Sequence, residues 1–208
     1  MKIKDKNLVK GNMTLSLMLI FAFVLTLVGC SGKSNESDET ETAQAQPEPA
    51  QVMPFQLTSS AFEDGGRIDI KYTYTNKNLS VPLAWGTPPE GTKSLALFMV
   101  DLHPVAGNWV HWVIANMPAD TRELSEGVSK TEQIPPGSLE IKNSFGTVGF
   151  GGPQPPVGSG DHEYKFILYA LNVESIELMN RVSYERFQEI VKDNVIASVE
   201  LSGFYENK

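Results

Sequence analysis

Four polar residues stand where the surrounding pattern calls for apolar ones, and together they could do chemistry. Asp101 closes the run S-L-A-L-F-M-V-D. His111 is set between Val110 and Trp112, inside V-H-W-V-I-A-N. His162 and Tyr164 come at the end of a Gly/Pro-rich stretch and lead into K-F-I-L-Y-A-L. A carboxylate at the end of a buried strand is costly unless it is partnered, and an imidazole is the natural partner.

Three chemistries use such a set. Histidines that titrate near neutrality can donate to a phosphate or carboxylate, while Asp101 holds one imidazole in its tautomer. The same groups could act as base and orienter in a hydrolase. For that role a nucleophile is missing, since Ser144 and Ser159 lie in no G-x-S-x-G context. Asp101, His111 and His162 could also form a metal trio with an open position, though no compact spacing such as H-E-x-x-H is present. A non-catalytic binding site is therefore the first expectation, with no cofactor, and the hydrolase and the metal site are its alternatives.

These residues need elements to position them. Residues 149–164 read G-F-G-G-P-Q-P-P-V-G-S-G-D-H-E-Y. Glycine is costly in regular structure and proline lacks a ladder donor, so this is neither a helix nor a central strand. It is either the stiff wall of a pocket or a long surface turn. Residues 94–101 and 110–116 read as buried central strands, and residues 165–171 as a third. Residues 55–59 and 83–85 are shorter strands, and residues 68–74 alternate as a half-buried strand should. Residues 124–147 have the weak pattern of a loop. Residues 184–193 form the one good helix, capped by Ser183, with Tyr184, Phe187 and Val191 on one face. Residues 195–201 close the chain as a strand. Trp85 and Trp112 belong to the core, and His103 to an exposed loop. Many short strands, Gly/Pro turns and one late helix give a mostly β fold, an antiparallel β-sandwich with a C-terminal helix.

The N-terminus has the pattern of an export signal. Lys2, Lys4, Lys6 and Lys10 precede an apolar run over residues 15–28 that ends in L-V-G-C. The run is shorter than the ~20 residues of a spanning helix and fits a signal peptide. Its end resembles a bacterial lipoprotein cleavage box, which makes Cys30, the only cysteine, the lipidated residue. Residues 1–29 are then a signal peptide, residues 30–53 a disordered tether without large apolar side chains, and residues 54–208 one domain. The product is expected in the bacterial cell envelope, anchored in the outer membrane or on the outer face of the cytoplasmic membrane. A formal net charge of −8 and no basic cluster after Lys10 exclude nucleic acid as a partner.

The domain resembles the phosphatidylethanolamine-binding protein family, in its bacterial YbhB/YbcL, Raf kinase inhibitor-like branch. The pieces that carry the resemblance occur in order along residues 55–205. They are S-S-A-F-E-D-G-G-R-I-D-I-K-Y-T from Ser59, L-S-V-P-L-A-W from Leu79 with P-P-E-G-T-K-S-L-A-L after it, and W-V-H-W-V-I-A-N-M-P from Trp109. The Gly/Pro stretch and Y-K-F-I-L-Y-A-L from Tyr164 complete them. The family arranges a D-P-D-x-P loop, an in-strand His, a G-x-x-P-P loop and an H-R-Y triplet around a small anion pocket. Carried over, Asp101 matches the first Asp, Trp109 the aromatic before the in-strand His, and His111 that His. Gly152, Pro155 and Pro156 match the wall, and His162 and Tyr164 the ends of the triplet. The resemblance implies a non-catalytic pocket for a phosphate-like head group, and allows a protein partner of the kind a kinase or protease inhibitor binds. Two departures stand out. Asp101-Leu102-His103-Pro104 is one residue shorter than the family loop and lacks its second Asp. Glu163 replaces the Arg of the triplet, and alternation from His162 and Tyr164 turns it away from the pocket.

Overall fold

The computed structural model describes residues 53–208; the signal peptide, Cys30 and nearly all of the tether lie outside them. Nine strands and one α-helix follow in order. They are β1 (Leu57–Thr58), β2 (Gly66–Arg67), β3 (Leu83–Trp85), β4 (Ser94–Asp101), β5 (Trp109–Pro118), β6 (Glu123–Leu124), β7 (Leu139–Glu140), β8 (His162–Leu171), α1 (Tyr184–Val191) and β9 (Val195–Tyr205). A three-stranded sheet has the order β1-β3-β6, and a six-stranded sheet the order β2-β9-β8-β4-β5-β7. All pairings are antiparallel except β2 with β9. The expected sandwich is thus present. No helix among the described residues is long and apolar enough to cross a membrane.

The large sheet is covered on both faces, and strand β4 shows why. All eight of its residues are buried. Leu95, Leu97 and Met99 meet Trp112, Phe166 and the small sheet's Leu57, Leu83 and Trp85 in one core. Ala96, Phe98 and Val100 meet Ile167, Tyr169 and the helix residues Phe187 and Val191 in a second. Two covered faces demand the near-continuous apolar run that the sequence displays. Asp101 has the parity of Met99, so it falls at the end of the face toward the small sheet. Tyr164 is its partner across β8, and His162 shares that face.

The helix has its expected cap, since Ser183 Oγ accepts from the Arg186 N–H at 3.2 Å. It is shorter than expected and ends at Val191. Residues 68–74 correct the sequence reading: they hold a 3-10 turn at Ile70–Tyr72, not a strand. Asp69 Oδ1 accepts from the Lys71 N–H at 2.8 Å. That local side-chain bond offers the backbone an alternative to a sheet ladder. Strand β5 runs to Pro118, past the Asn116 where the sequence pattern ended it, and β8 begins at His162, three residues early.

Candidate functional site

The site is built where β4 ends and β5 and β8 begin. His111 owes its position to a bulge. Met99 pairs with Trp112, but Val100 pairs with Val110, leaving His111 as an extra residue on β5. Such a bulge re-aims a side chain and flips the parity of the strand. Accordingly Trp112 joins the core under the small sheet and Val110 the core under the helix. The ring of His111 is held from behind, with Nδ1 2.6 Å from the Gly151 carbonyl oxygen. The Gly151 N–H donates back to the His111 carbonyl at 2.9 Å. A carbonyl can only accept, so Nδ1 carries the proton and Nε2 is a lone-pair acceptor. Burial above all pushes the imidazole down to about 4, so the ring is neutral at physiological pH.

Asp101 is satisfied on both oxygens. Oδ2 is 2.6 Å from His162 Nδ1, and Oδ1 accepts from the His103 N–H at 2.9 Å. Asp101 and His162 are 3% and 1% exposed, so this is a desolvated pair, offset by a donor on each carboxylate oxygen. The other ring nitrogen of His162, Nε2, lies 2.9 Å from Ser159 Oγ. Ser159 Oγ in turn donates to the Pro156 carbonyl at 2.6 Å. His162 is therefore engaged at both nitrogens. Its face is covered too: His103 stacks on it with ring centroids 3.9 Å apart. His103 is thus half-buried and not the exposed loop residue expected from its neighbours.

Tyr164 stands between these groups, edge-on to His111 at 5.1 Å. It is wholly buried, and its hydroxyl has no hydrogen-bond partner among the described residues. Burial, and then the Asp101 carboxylate, push the phenol upward, so it stays a donor.

A cavity of about 420 Å³ opens here, lined by Asp101, Trp109, His111, Pro155, Pro156, His162 and Tyr164. These are all the expected site residues but one. Gly152 lies behind the wall. Its N–H donates to Asn78 Oδ1 at 2.7 Å, and a Cβ there would stand 1.9 Å from the Tyr72 carbonyl oxygen. Glycine is needed for that close backbone approach and not for the cavity surface. Four lining residues went unread in the sequence: Val105, Ala106, Phe145 and Gln154. Phe145 is stacked on Tyr74 at 4.0 Å and set edge-on to Trp109 at 5.4 Å. Its one signal was a large aromatic in an otherwise polar loop. Glu163 turns away as expected, its Oε1 accepting from Ser202 Oγ at 2.6 Å. Among the described residues no group of three or more His, Cys, Asp or Glu side chains converges as a metal site. A cavity of this size is of the ~300–1,000 Å³ class that takes small organic ligands.

The comparisons with known proteins agree with this architecture. The family model described as phosphatidylethanolamine-binding protein matches residues 58–206. A UPF0098 protein of Methanothermobacter thermautotrophicus is 40% identical over 149 residues, which are 72% of this chain and 97% of that protein. LppC of Mycobacterium tuberculosis is 35% identical over 120 residues, 58% of this chain and 57% of LppC. The crystal structure of Escherichia coli YbcL, described as a new member of the mammalian PEBP family, superposes with a TM-score of 0.69. It is 32% identical and the match covers 74% of this chain and 99% of YbcL.

Proposed function

The chain belongs to the phosphatidylethanolamine-binding protein family, and from that premise we propose that it is a membrane-tethered, non-catalytic binding protein whose cavity takes a small phosphate-like head group. The observation that carries this reading is the Tyr164 hydroxyl. A buried phenol without a partner costs free energy unless something else accepts its proton. The Asp101 carboxylate lies close enough to push the phenol upward but makes no hydrogen bond with it, so on this reading the acceptor is a ligand oxygen. The apolar walls from Trp109, Phe145, Pro155 and Pro156 then hold the body to which the head group is attached.

The tether rests on Cys30 and the apolar run before it, and is supported by LppC, whose name includes the word lipoprotein. On this reading the domain sits at the cell envelope. Metabolic labelling with a radioactive fatty acid should mark the wild-type chain and not Cys30→Ala; label on both would remove the anchor.

For the pocket, millimolar phosphate or phosphoethanolamine should raise the melting temperature. A site-specific ligand at a hundred times its Kd stabilises by about 2.7 kcal/mol. Tyr164→Phe should keep the unliganded melting temperature and lose the ligand-dependent rise. No rise in the wild type sinks the reading.

One observation favours a second reading. Ser159, His162 and Asp101 are joined in the order of a hydrolytic triad, at 2.9 and 2.6 Å. The sequence had offered no nucleophile, and the fold brings one within reach of His162. Against it, the single proton of Ser159 is taken up by the Pro156 carbonyl oxygen at 2.6 Å, where a nucleophile would give it to His162. Ser159 is also not among the residues lining the cavity. Turnover of generic aryl esters that disappears in Ser159→Ala would establish the hydrolase.

A further inference from the structure

Histidine is commonly counted as a donor toward an anion. Here neither buried histidine is free to be one. His162 uses both nitrogens on Asp101 and Ser159. His111 uses its N–H on Gly151 and leaves a lone pair at Nε2, for which no partner exists among the described residues. No lysine or arginine lines the cavity, and the one carboxylate there is Asp101. Among the buried lining side chains, the polar atoms left over are therefore one acceptor, His111 Nε2, and one donor, the Tyr164 hydroxyl. At the rim, Gln154 and the Trp109 indole are wetted by solvent. A fully ionised phosphate dianion matches this set poorly. It has no proton to give His111, it meets a lone pair there, and no lysine or arginine lines the cavity to balance its second charge.

Resting on the binding reading above, we propose that the cavity selects a head group that brings its own proton: a phosphate monoester in its singly charged, hydrogen-phosphate form, carried on an apolar body. The P–OH donates to His111 Nε2. An unprotonated oxygen of the same group accepts from Tyr164 Oη. The organic substituent lies against Trp109, Phe145 and Pro155. A carboxylic acid would present the same donor and acceptor, but its protonated form is scarce above pH 5. A phosphate monoester loses its second proton near pH 6, so the form that fits is abundant close to neutrality.

The consequence is a pH dependence owned by the ligand. The titratable groups facing the head group are Asp101 from β4, His111 from β5, and His162 and Tyr164 from β8, with His103 stacked behind His162. Any of the histidines could also strengthen anion binding as pH falls. Two isosteric ligands separate the causes. Phenyl phosphate changes its own protonation near pH 6, and phenyl sulfate stays a fully ionised monoanion throughout.

Titration calorimetry with the full chain at pH 5.5 and pH 7.5 decides. If only the hydrogen-phosphate form binds, the Kd of phenyl phosphate weakens ~25-fold over that interval, the factor by which that form becomes rarer. Phenyl sulfate should bind at least tenfold more weakly at pH 5.5, with a flat profile. Equal affinity for phenyl sulfate overturns the proposal and leaves an anion pocket standing. So does a phenyl sulfate profile as steep as that of the phosphate, because the protein's histidines then own the proton. Failure of both ligands at millimolar concentration overturns the binding reading itself and this proposal with it.

Discussion

His103 lies flat against His162, ring centroids 3.9 Å apart and planes 22° apart. The chain needs this cover because the loop after β4 is short and passes directly over the Asp101–His162 pair. The His103 N–H also ties that loop to Asp101 Oδ1 at 2.9 Å, so its backbone and its ring act on the same buried pair. An aromatic contact of this kind is worth about 1 kcal/mol beyond its buried area. His103→Ala should lower unfolding free energy in urea by at least that amount. His103→Phe keeps the flat ring and should recover most of it. Equal loss in both variants would show that the imidazole nitrogens and not the stacking matter.

His111 makes stability depend on pH in a fixed direction. Its folded-state value of about 4 lies below the ordinary 6.5, because burial disfavours the imidazolium. The unfolded chain therefore binds the proton first as pH falls. The contribution is intact above about pH 6.5 and is lost as pH drops toward 4. Between pH 7 and pH 4.5 the wild type should lose about 2 to 3 kcal/mol from this group alone. His111→Gln should have a lower stability at pH 7 but lack this component of the acid slope. Parallel urea midpoints for the two proteins across the same range would contradict a neutral His111.

What could be read in the sequence, and what could not, follows from the range of the forces involved. Residues 94–101 announced a strand covered on both faces because burial acts on every side chain in it. Asp101 and His111 stood out for the same reason, as polar groups in apolar runs, and His162 and Tyr164 because they end the Gly/Pro stretch just before a strand. The small sheet was legible only in part: the short strands expected at residues 55–59 and 83–85 hold β1 and β3, but β6 has two residues and shows too little period to be seen. Residues 68–74 alternate as a strand does, yet one Asp69 side-chain bond diverts them into a 3-10 turn. Phe145 reaches the cavity through contacts with Tyr74, Trp109 and His111, partners distant in sequence that no local pattern encodes. The bulge that turns His111 toward the cavity depends on strand register, which is likewise not local. Gly152 was placed by motif on the wall, but its place is behind it, where the Tyr72 carbonyl leaves no room for a side chain.

Glu163 tests how far the triplet's middle position matters. It points to the face opposite His162 and Tyr164 and bonds Ser202 Oγ. Glu163→Arg should therefore leave the Kd for phosphate within about twofold and cost less than ~1 kcal/mol of stability, as surface changes do. A gain in affinity beyond tenfold would mean that an arginine there reaches the cavity, and that this chain has weakened its own site.

Glu140 holds the other wall from a distance. Its half-buried carboxylate accepts from Trp112 Nε1 at 2.6 Å, from Ser129 Oγ at 2.7 Å and from the Lys130 N–H at 2.8 Å. Ser129 Oγ then accepts from the Phe150 N–H at 2.8 Å, and the next residue, Gly151, carries the carbonyl that sets the His111 tautomer. The chain of bonds thus runs from Glu140 to His111 without touching the cavity. Removing the carboxylate leaves three donors unsatisfied, one of them the indole of the fully buried Trp112, and hydrogen bonds to a charged group are worth about 1.5 to 3 kcal/mol each. Glu140→Ala should lose about 3 kcal/mol in urea unfolding, since water can reach part of the gap. Glu140→Gln keeps an acceptor for one or two of the donors and should lose about half as much. The His111 ring is the sensitive readout. Its nitrogen-15 shifts should stay those of the Nδ1–H tautomer in wild type and in Glu140→Gln, and become averaged in Glu140→Ala as the Gly151 carbonyl loses its support. Unchanged shifts in Glu140→Ala, despite the loss of stability, would show that Gly151 is held in place by the Asn78–Gly152 bond on its other side.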